Sequence, residues 1–219
     1  MKVDQSHYFD ISPCISQQTA VFPGDTAYKR NVHMSVEAGD HIGLSSIEST
    51  VHIGAHADAP SHYGKSQAGI HELELTPYMG LAQVIHLAPP KGARISWAEL
   101  AKTPIQCKRV LLATNSFPDS NQWNSDFNSL SPELIEKLHE QGVVLVGIDT
   151  PSVDPSDCKT MDSHHMLLKT QMRVLEGLVL EHVPGGLYQL LALPLSLKDA
   201  DASPVRAILL PQNADLSRR

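Results

Sequence analysis

Three imidazoles and a carboxylate fall within eleven residues: His52, His56, Asp58 and His62, in the stretch Val51-His-Ile-Gly-Ala-His-Ala-Asp-Ala-Pro-Ser-His-Tyr-Gly64. Offsets of four, two and four concentrate metal ligands and proton carriers in one short segment. The residues between them are mostly small or apolar (Ile53, Gly54, Ala55, Ala57, Ala59, Pro60), so a backbone can fold closely around an ion. Imidazole is a common neutral nitrogen ligand, and a neighbouring carboxylate can bind or bridge. With nitrogen and oxygen donors and no thiolate, zinc is favoured, with manganese or another first-row ion as the alternative. An extended segment would project His52, His56 and Asp58 from one face. A coil after Gly54 would still let the i, i+4 pair His52 and His56 converge.

Three or four ligands from one segment seldom complete a site. The remaining candidates are His164 and His165 in Asp162-Ser-His-His165, and Glu176, a lone carboxylate among Val174, Leu175, Leu178, Val179 and Leu180. A carboxylate buried in apolar surroundings is costly unless it is paired or binds a cation. The competing reading leaves Glu176 at a solvent-facing strand end and the two histidines on an exposed helix start. Spacing does not choose between the two. The other histidines (His7, His33, His41, His71, His86, His139, His182) have no such setting and read as ordinary surface or core residues.

Elements able to position these residues are short. Runs rich in Val, Ile and Leu and bounded by turn formers predict strands over 8–11, 32–36, 45–52, 82–87, 109–114, 143–148, 187–192 and 205–210. Ser96 with Glu99 forms a capping box that starts a short helix. Ser131-Pro132-Glu133 opens a second, with Leu134, Ile135 and Leu138 on one face and Gly142 after its end. A third is expected over about 164–170. The polar stretch 117–130 reads as a long surface loop. Strands with a few helices between them, and no composition shift, predict one α/β domain over 1–219 with a mixed sheet.

Bulk properties exclude several classes. The chain of 219 residues has a net charge of -7, without the basic footprint of a nucleic-acid binder. Cys14, Cys107 and Cys158 are odd in number and widely separated, which argues against a disulfide framework or a thiolate zinc site. The start carries no secretory h-region and the apolar runs are too short to span a bilayer, so a cytoplasmic location and no membrane partner are expected.

The pattern His52-x-Gly-x-His56-x-Asp58-x-Pro-x-His62 resembles the signature of the metal-dependent cyclase family of hydrolases. Within it, the chain is most similar to bacterial-type kynurenine formamidases (arylformamidases). The resemblance continues in Phe9-Asp-Ile-Ser-Pro13, Val21-Phe-Pro-Gly-Asp-Thr26, Gly147-Ile-Asp-Thr-Pro-Ser-Val-Asp-Pro155, Lys159-Thr-Met-Asp-Ser-His-His165, Leu175-Glu-Gly-Leu-Val-Leu180, Leu191-Ala-Leu-Pro-Leu195 and Asp201-Ala-Ser-Pro-Val-Arg206. It implies a swivelling β/β/α fold and two zinc ions per subunit. By the same resemblance His52 and His56 hold the first ion, His164 the second, and Asp58 and Glu176 bridge them. His62 becomes the catalytic acid/base, and Phe22 packs on an aromatic formamide substrate at a place where such enzymes often carry tryptophan. A homodimer with elements of both chains near the pocket is also implied. The activity implied is hydrolysis of N-formylkynurenine to kynurenine and formate. Competing expectations are an amidohydrolase opening a cyclic amide such as isatin, and a metal-binding protein without turnover.

Overall fold

Alternation of side chains along short strands accounts for most of the architecture. The computed structural model describes residues 8–214, so His7 and the start of the chain lie outside the described residues. In chain order the elements are β1 (Phe9–Asp10), β2 (Lys29–Met34), β3 (Leu44–Glu48), β4 (His56–Asp58), β5 (Met79–His86) and β6 (Arg94–Ile95). There follow α1 (Trp97–Leu100), β7 (Arg109–Ala113), β8 (Ser129–Leu130), α2 (Pro132–Glu140), β9 (Leu145–Ile148) and α3 (Asp162–Thr170). The chain closes with β10 (Arg173–Glu176), β11 (Gly186–Leu191), β12 (Ala202–Pro204) and β13 (Ile208–Pro211). Nine strands form one mixed sheet in the order β1-β13-β11-β5-β7-β9-β10-β4-β12. Its centre, β5-β7-β9-β10, is parallel, and both flanks are antiparallel. The α/β expectation with a mixed sheet and few helices therefore holds.

The parallel strands are buried on both faces, as such strands must be. Val110, Leu112, Val146, Ile148 and Val174 point toward α2 and α3 and meet Leu134, Ile135, Leu138 and Leu167. Leu111, Leu145 and Leu175 point the other way into a second core that includes Ala55, Ala57 and Ala59. This alternation matters at β4. Its odd positions are apolar and fill the second core, so His56 and Asp58 face the helix side, where α3 lies. Glu176 is opposite His56 in the antiparallel β10–β4 register, and directly opposed residues share a face.

Several sequence expectations need correction. The strand foreseen over 45–52 ends at Glu48, and His52 lies in a bend rather than a strand or a helix. Neither geometry considered for the cluster is therefore complete: His56 and Asp58 are extended, and His52 reaches them around Gly54. The run 205–210 is split, with β12 before it and β13 at its end, because residues 205–207 leave the ladder between two partners. The stretch 117–130 is only partly a surface loop. Phe127, Asn128, Ser129 and Leu130 are buried, and the last two pair with β6. The first two helices begin directly after Ser96 and Ser131, and α3 starts at Asp162, two residues before the expected position. Ser131 Oγ accepts the Leu134 N–H at 3.1 Å, and Glu99 accepts the Ser96 N–H at 2.6 Å.

Two glycines let β10 close on the segment that precedes β4. Gly177 has φ +64° and Gly54 φ +58°, and a Cβ on Gly177 would fall well inside van der Waals contact distance of the Gly54 carbonyl oxygen. Only glycine combines that close approach with a left-handed backbone at no steric penalty. Gly177→Ala should therefore destabilise the metal-free protein by at least about 2 kcal/mol in urea unfolding. An unchanged midpoint would show that the contact is slack.

Candidate metal centre

Residues from four elements converge where the sheet face meets the start of α3. His56 and Asp58 come from β4, Glu176 ends β10, His164 lies in the first turn of α3, and His52 arrives from the bend before Gly54. Asp58 and Glu176 are 1% and 2% exposed, so two carboxylates are buried side by side. Each divides its oxygens between two groups of imidazoles. Asp58 Oδ1 is 3.0 Å from His52 Nδ1 and 3.6 Å from His56 Nε2, whereas Oδ2 is 3.4 Å from His164 Nε2. Glu176 Oε2 is 3.2 Å from His56 Nε2, and Oε1 is 3.4 Å from His164 Nε2.

Each imidazole also has one nitrogen anchored, which fixes the other toward the carboxylates. His56 Nδ1 lies 2.9 Å from the Gly54 carbonyl, His164 Nδ1 2.7 Å from Asp154 Oδ2, and His52 Nε2 3.0 Å from Asp201 Oδ2. Such oxygen partners set the tautomer and ring plane of metal-ligating histidines. Asp154 is itself held by the Ser163 and His164 N–H groups at the start of α3 and by Arg94 Nη1 at 2.9 Å.

The donor atoms fit divalent cations. His56 Nε2 and both oxygens of Asp58 are buried without a hydrogen-bond partner, although imidazole nitrogens stand 3.0–3.6 Å away. Buried polar atoms left unpaired cost free energy, and a cation between them would satisfy all three. A tetrahedral zinc with bonds of about 2.0 to 2.2 Å holds its ligands about 3.3 Å apart, which matches these separations. His52, His56 and Asp58 form one compact ligand group; Asp58, His164 and His62 form another.

Electrostatics without a cation point the same way. Burial pushes the Asp58 carboxyl up, but the His164 and His52 rings beside it dominate and hold it well below the usual carboxylate range. Glu176 is raised by burial and by Asp58, yet His164 and His56 bring it below its ordinary value. Burial lowers His52, but Asp58 and Asp201 outweigh it and raise the imidazole to about 9. His164 is likewise raised, with burial opposing Asp154, Asp58 and Glu176. His52 and His164 thus hold protons where cations would otherwise neutralise the carboxylates.

Next to this cluster opens a cavity of about 980 Å³, large enough for an aromatic metabolite. His62, in the turn Pro60–His62, lies on its wall with its side chain 29% exposed. Phe22 also lines it and meets Trp123 edge-on, with centroids 5.0 Å apart. Trp123 in turn packs against Phe117 and Phe127. Phe117, Trp123 and Phe127 in a mostly polar 117–130 stretch were the available signal that it packs inward, and Phe117 lines the cavity. Asp154 and Asp201 were not singled out in the sequence, because only the fold brings them to His164 and His52. His165, the other histidine of its pair, points to solvent.

A model of the family described as "Putative cyclase" matches residues 9–155. The chain belongs to the cyclase family. It is 45% identical over 207 residues to a kynurenine formamidase of Bordetella petrii, covering 92% of this chain and 96% of that one. A kynurenine formamidase of Polaromonas naphthalenivorans is 44% identical over 201 residues, covering 92% and 89%. Among solved structures, a predicted metal-dependent hydrolase from Bacillus stearothermophilus superposes with TM-score 0.79 at 25% identity, covering 92% of this chain and 97% of that one. Isatin hydrolase A from Labrenzia aggregata shares the fold with TM-score 0.81 at 19% identity, covering 94% of each chain.

The raised His52 gives a signed pH prediction. Its folded pKa of about 9 exceeds the 6.5 of a free imidazole, so the folded state favours the protonated ring. That stabilisation is complete below about pH 6.5 and is lost as pH rises through about 9. The thermal midpoint of chelator-treated protein should fall between pH 6.5 and 9.5, and zinc titrated at pH 7.5 should release protons in calorimetry across buffers of different ionisation enthalpy. A midpoint that rises over that interval, with no proton release, would remove the shared proton from this site.

Proposed function

We propose that this protein is a kynurenine formamidase: a zinc-dependent arylformamidase that hydrolyses N-formyl-L-kynurenine to L-kynurenine and formate in tryptophan breakdown. The observation that carries a hydrolytic site is the way Asp58 and Glu176 divide their oxygens between imidazole groups, an arrangement suited to two cations. The names of the 44–46% identical relatives narrow the substrate to the formamide. Zinc fits the nitrogen and oxygen donor set, and manganese is the alternative.

In this reading His52 and His56 would hold one ion and His164 the second, with Asp58 and Glu176 shared between them. Divalent cations bound there supply polarisation of the formyl carbonyl and a water of low pKa. The chain's own residues do the rest. Phe22, backed by Trp123, covers the substrate ring by face or edge contact. His62 takes a proton from the attacking water and delivers it to the departing nitrogen, the role of a positioned imidazole acid/base. An aryl amine leaves more readily than an alkyl amine because the ring delocalises its lone pair, so one imidazole suffices for the protonation.

A homodimer belongs to the same proposal. Among the described residues the ribbon β2–β3 pairs only with itself, and it exposes Val32, Leu44 and Ile47, the last at 68%. Two-stranded ribbons are marginal alone, and a second copy would cover these apolar side chains. A cytoplasmic setting accords with three cysteines that are all free. Among the described residues no helix is long and apolar enough to cross a membrane.

Elemental analysis with parallel assays on N-formylkynurenine and isatin, before and after chelation, tests the reading. Two zinc equivalents per chain and formamide hydrolysis abolished by chelation and restored by zinc are expected. A metal-loaded protein that leaves N-formylkynurenine intact would overturn it. Asp58→Ala or Glu176→Ala should remove more than one equivalent of metal. His62→Ala should retain both equivalents while kcat falls about 10²- to 10⁴-fold; loss of metal in that variant would make His62 a ligand instead.

A further inference from the structure

Asp201 belongs to neither carboxylate of the buried pair, yet its Oδ2 touches two of the site's imidazoles. It lies 3.0 Å from His52 Nε2 and 3.3 Å from His62 Nδ1. The two rings are stacked close together, with centroids 4.1 Å apart and planes inclined by 42°. No lysine or arginine among the described residues pairs with Asp201, so its charge is directed at these two rings.

The backbone that carries Asp201 is fixed to the same segment. Its carbonyl accepts the Ala59 N–H at 2.8 Å, the Ala200 carbonyl accepts the Ile70 N–H at 2.9 Å, and Ala202 stands opposite Asp58 in the β12–β4 register. Ala59 lies between Asp58 and His62 in sequence, so the carboxylate is strapped to the turn whose histidine it faces. A half-exposed side chain held this firmly at its backbone is placed for a purpose that surface solvation does not explain.

We propose that Asp201 is the positioning residue for His62. The His62 Nδ1–H donates to Asp201 Oδ2, which leaves Nε2 as the nitrogen that exchanges protons with the reacting atoms. The same oxygen receives His52 Nε2–H, so His52 Nδ1 is the nitrogen turned toward Asp58. In the zinc-loaded enzyme His52 would also be held by its ion, whereas Asp201 is the one side-chain hydrogen-bond partner of the His62 ring among the described residues. A lone histidine would otherwise divide its time between tautomers and ring flips. This inference rests on the acid/base reading of His62 given above.

Asp201→Asn tests it, because the change keeps the volume and removes the charge at a partly exposed position. In zinc-loaded enzyme kcat should fall about 10- to 100-fold, the loss typical when a histidine's oxygen partner is removed, with KM within twofold and metal content unchanged. In a His62→Ala background the same change should cost nothing further, since its effect passes through His62. The ring ¹⁵N shifts of His62, assigned by their absence in His62→Ala, should show the Nδ1–H tautomer in wild type and a mixture in Asp201→Asn. An equal loss of kcat with and without His62, a drop in metal content, or an unchanged tautomer would each overturn the role of Asp201 alone. Full activity in His62→Ala would overturn the acid/base reading together with it.

Discussion

Two carboxylates buried against each other set the terms for everything around them. Asp58 and Glu176 are both almost wholly out of water, and like charges in such a place repel strongly unless positive charge is supplied. The fold supplies it from every available direction. β4 and β10 bring the pair together across one register position, the bend before Gly54 adds His52, and α3 is placed so that His164 reaches both acids. The Gly54–Gly177 contact is what allows the backbones to come close enough.

Imidazole orientation follows from the same constraint. A ring that faces a carboxylate with the wrong nitrogen offers it nothing, so each ring is tied at its far side. The ties differ in kind. His56 uses a backbone carbonyl two residues away, which local geometry enforces. His164 uses Asp154, which is in turn held by N–H groups at the start of its own helix and by Arg94 from β6. That chain extends the site's support to β8, since Arg94 also bonds the Leu130 carbonyl at 3.0 Å. The open side is left to His62 and to Phe22, against which Trp123 packs.

Much of this was legible in the sequence, and the gaps have physical causes. The segment from His52 to His62 declared itself by residue type and spacing, and Glu176 by being a lone acid in an apolar run. The parallel strands β7 and β9 were visible as continuous Val, Ile and Leu runs because both of their faces are buried. β4 was not visible as a strand: three residues, His-Ala-Asp, carry no β-propensity, and pairing on both edges makes the strand. β10 hid inside a longer apolar stretch for the same reason. Asp154 and Asp201 look like ordinary loop acids until tertiary structure places them, 10 and 149 positions from the histidines they hold. The 117–130 stretch misled through its polar composition, which masked three aromatics that pack inward.

Anomalous diffraction at the zinc edge from crystals of the metal-loaded protein tests the central claim most directly. Two peaks about 3.5 to 4 Å apart, between Asp58 and Glu176 with one beside His52 and His56 and the other beside His164, are the predicted result. A single peak, or peaks remote from the two buried acids, would contradict the account.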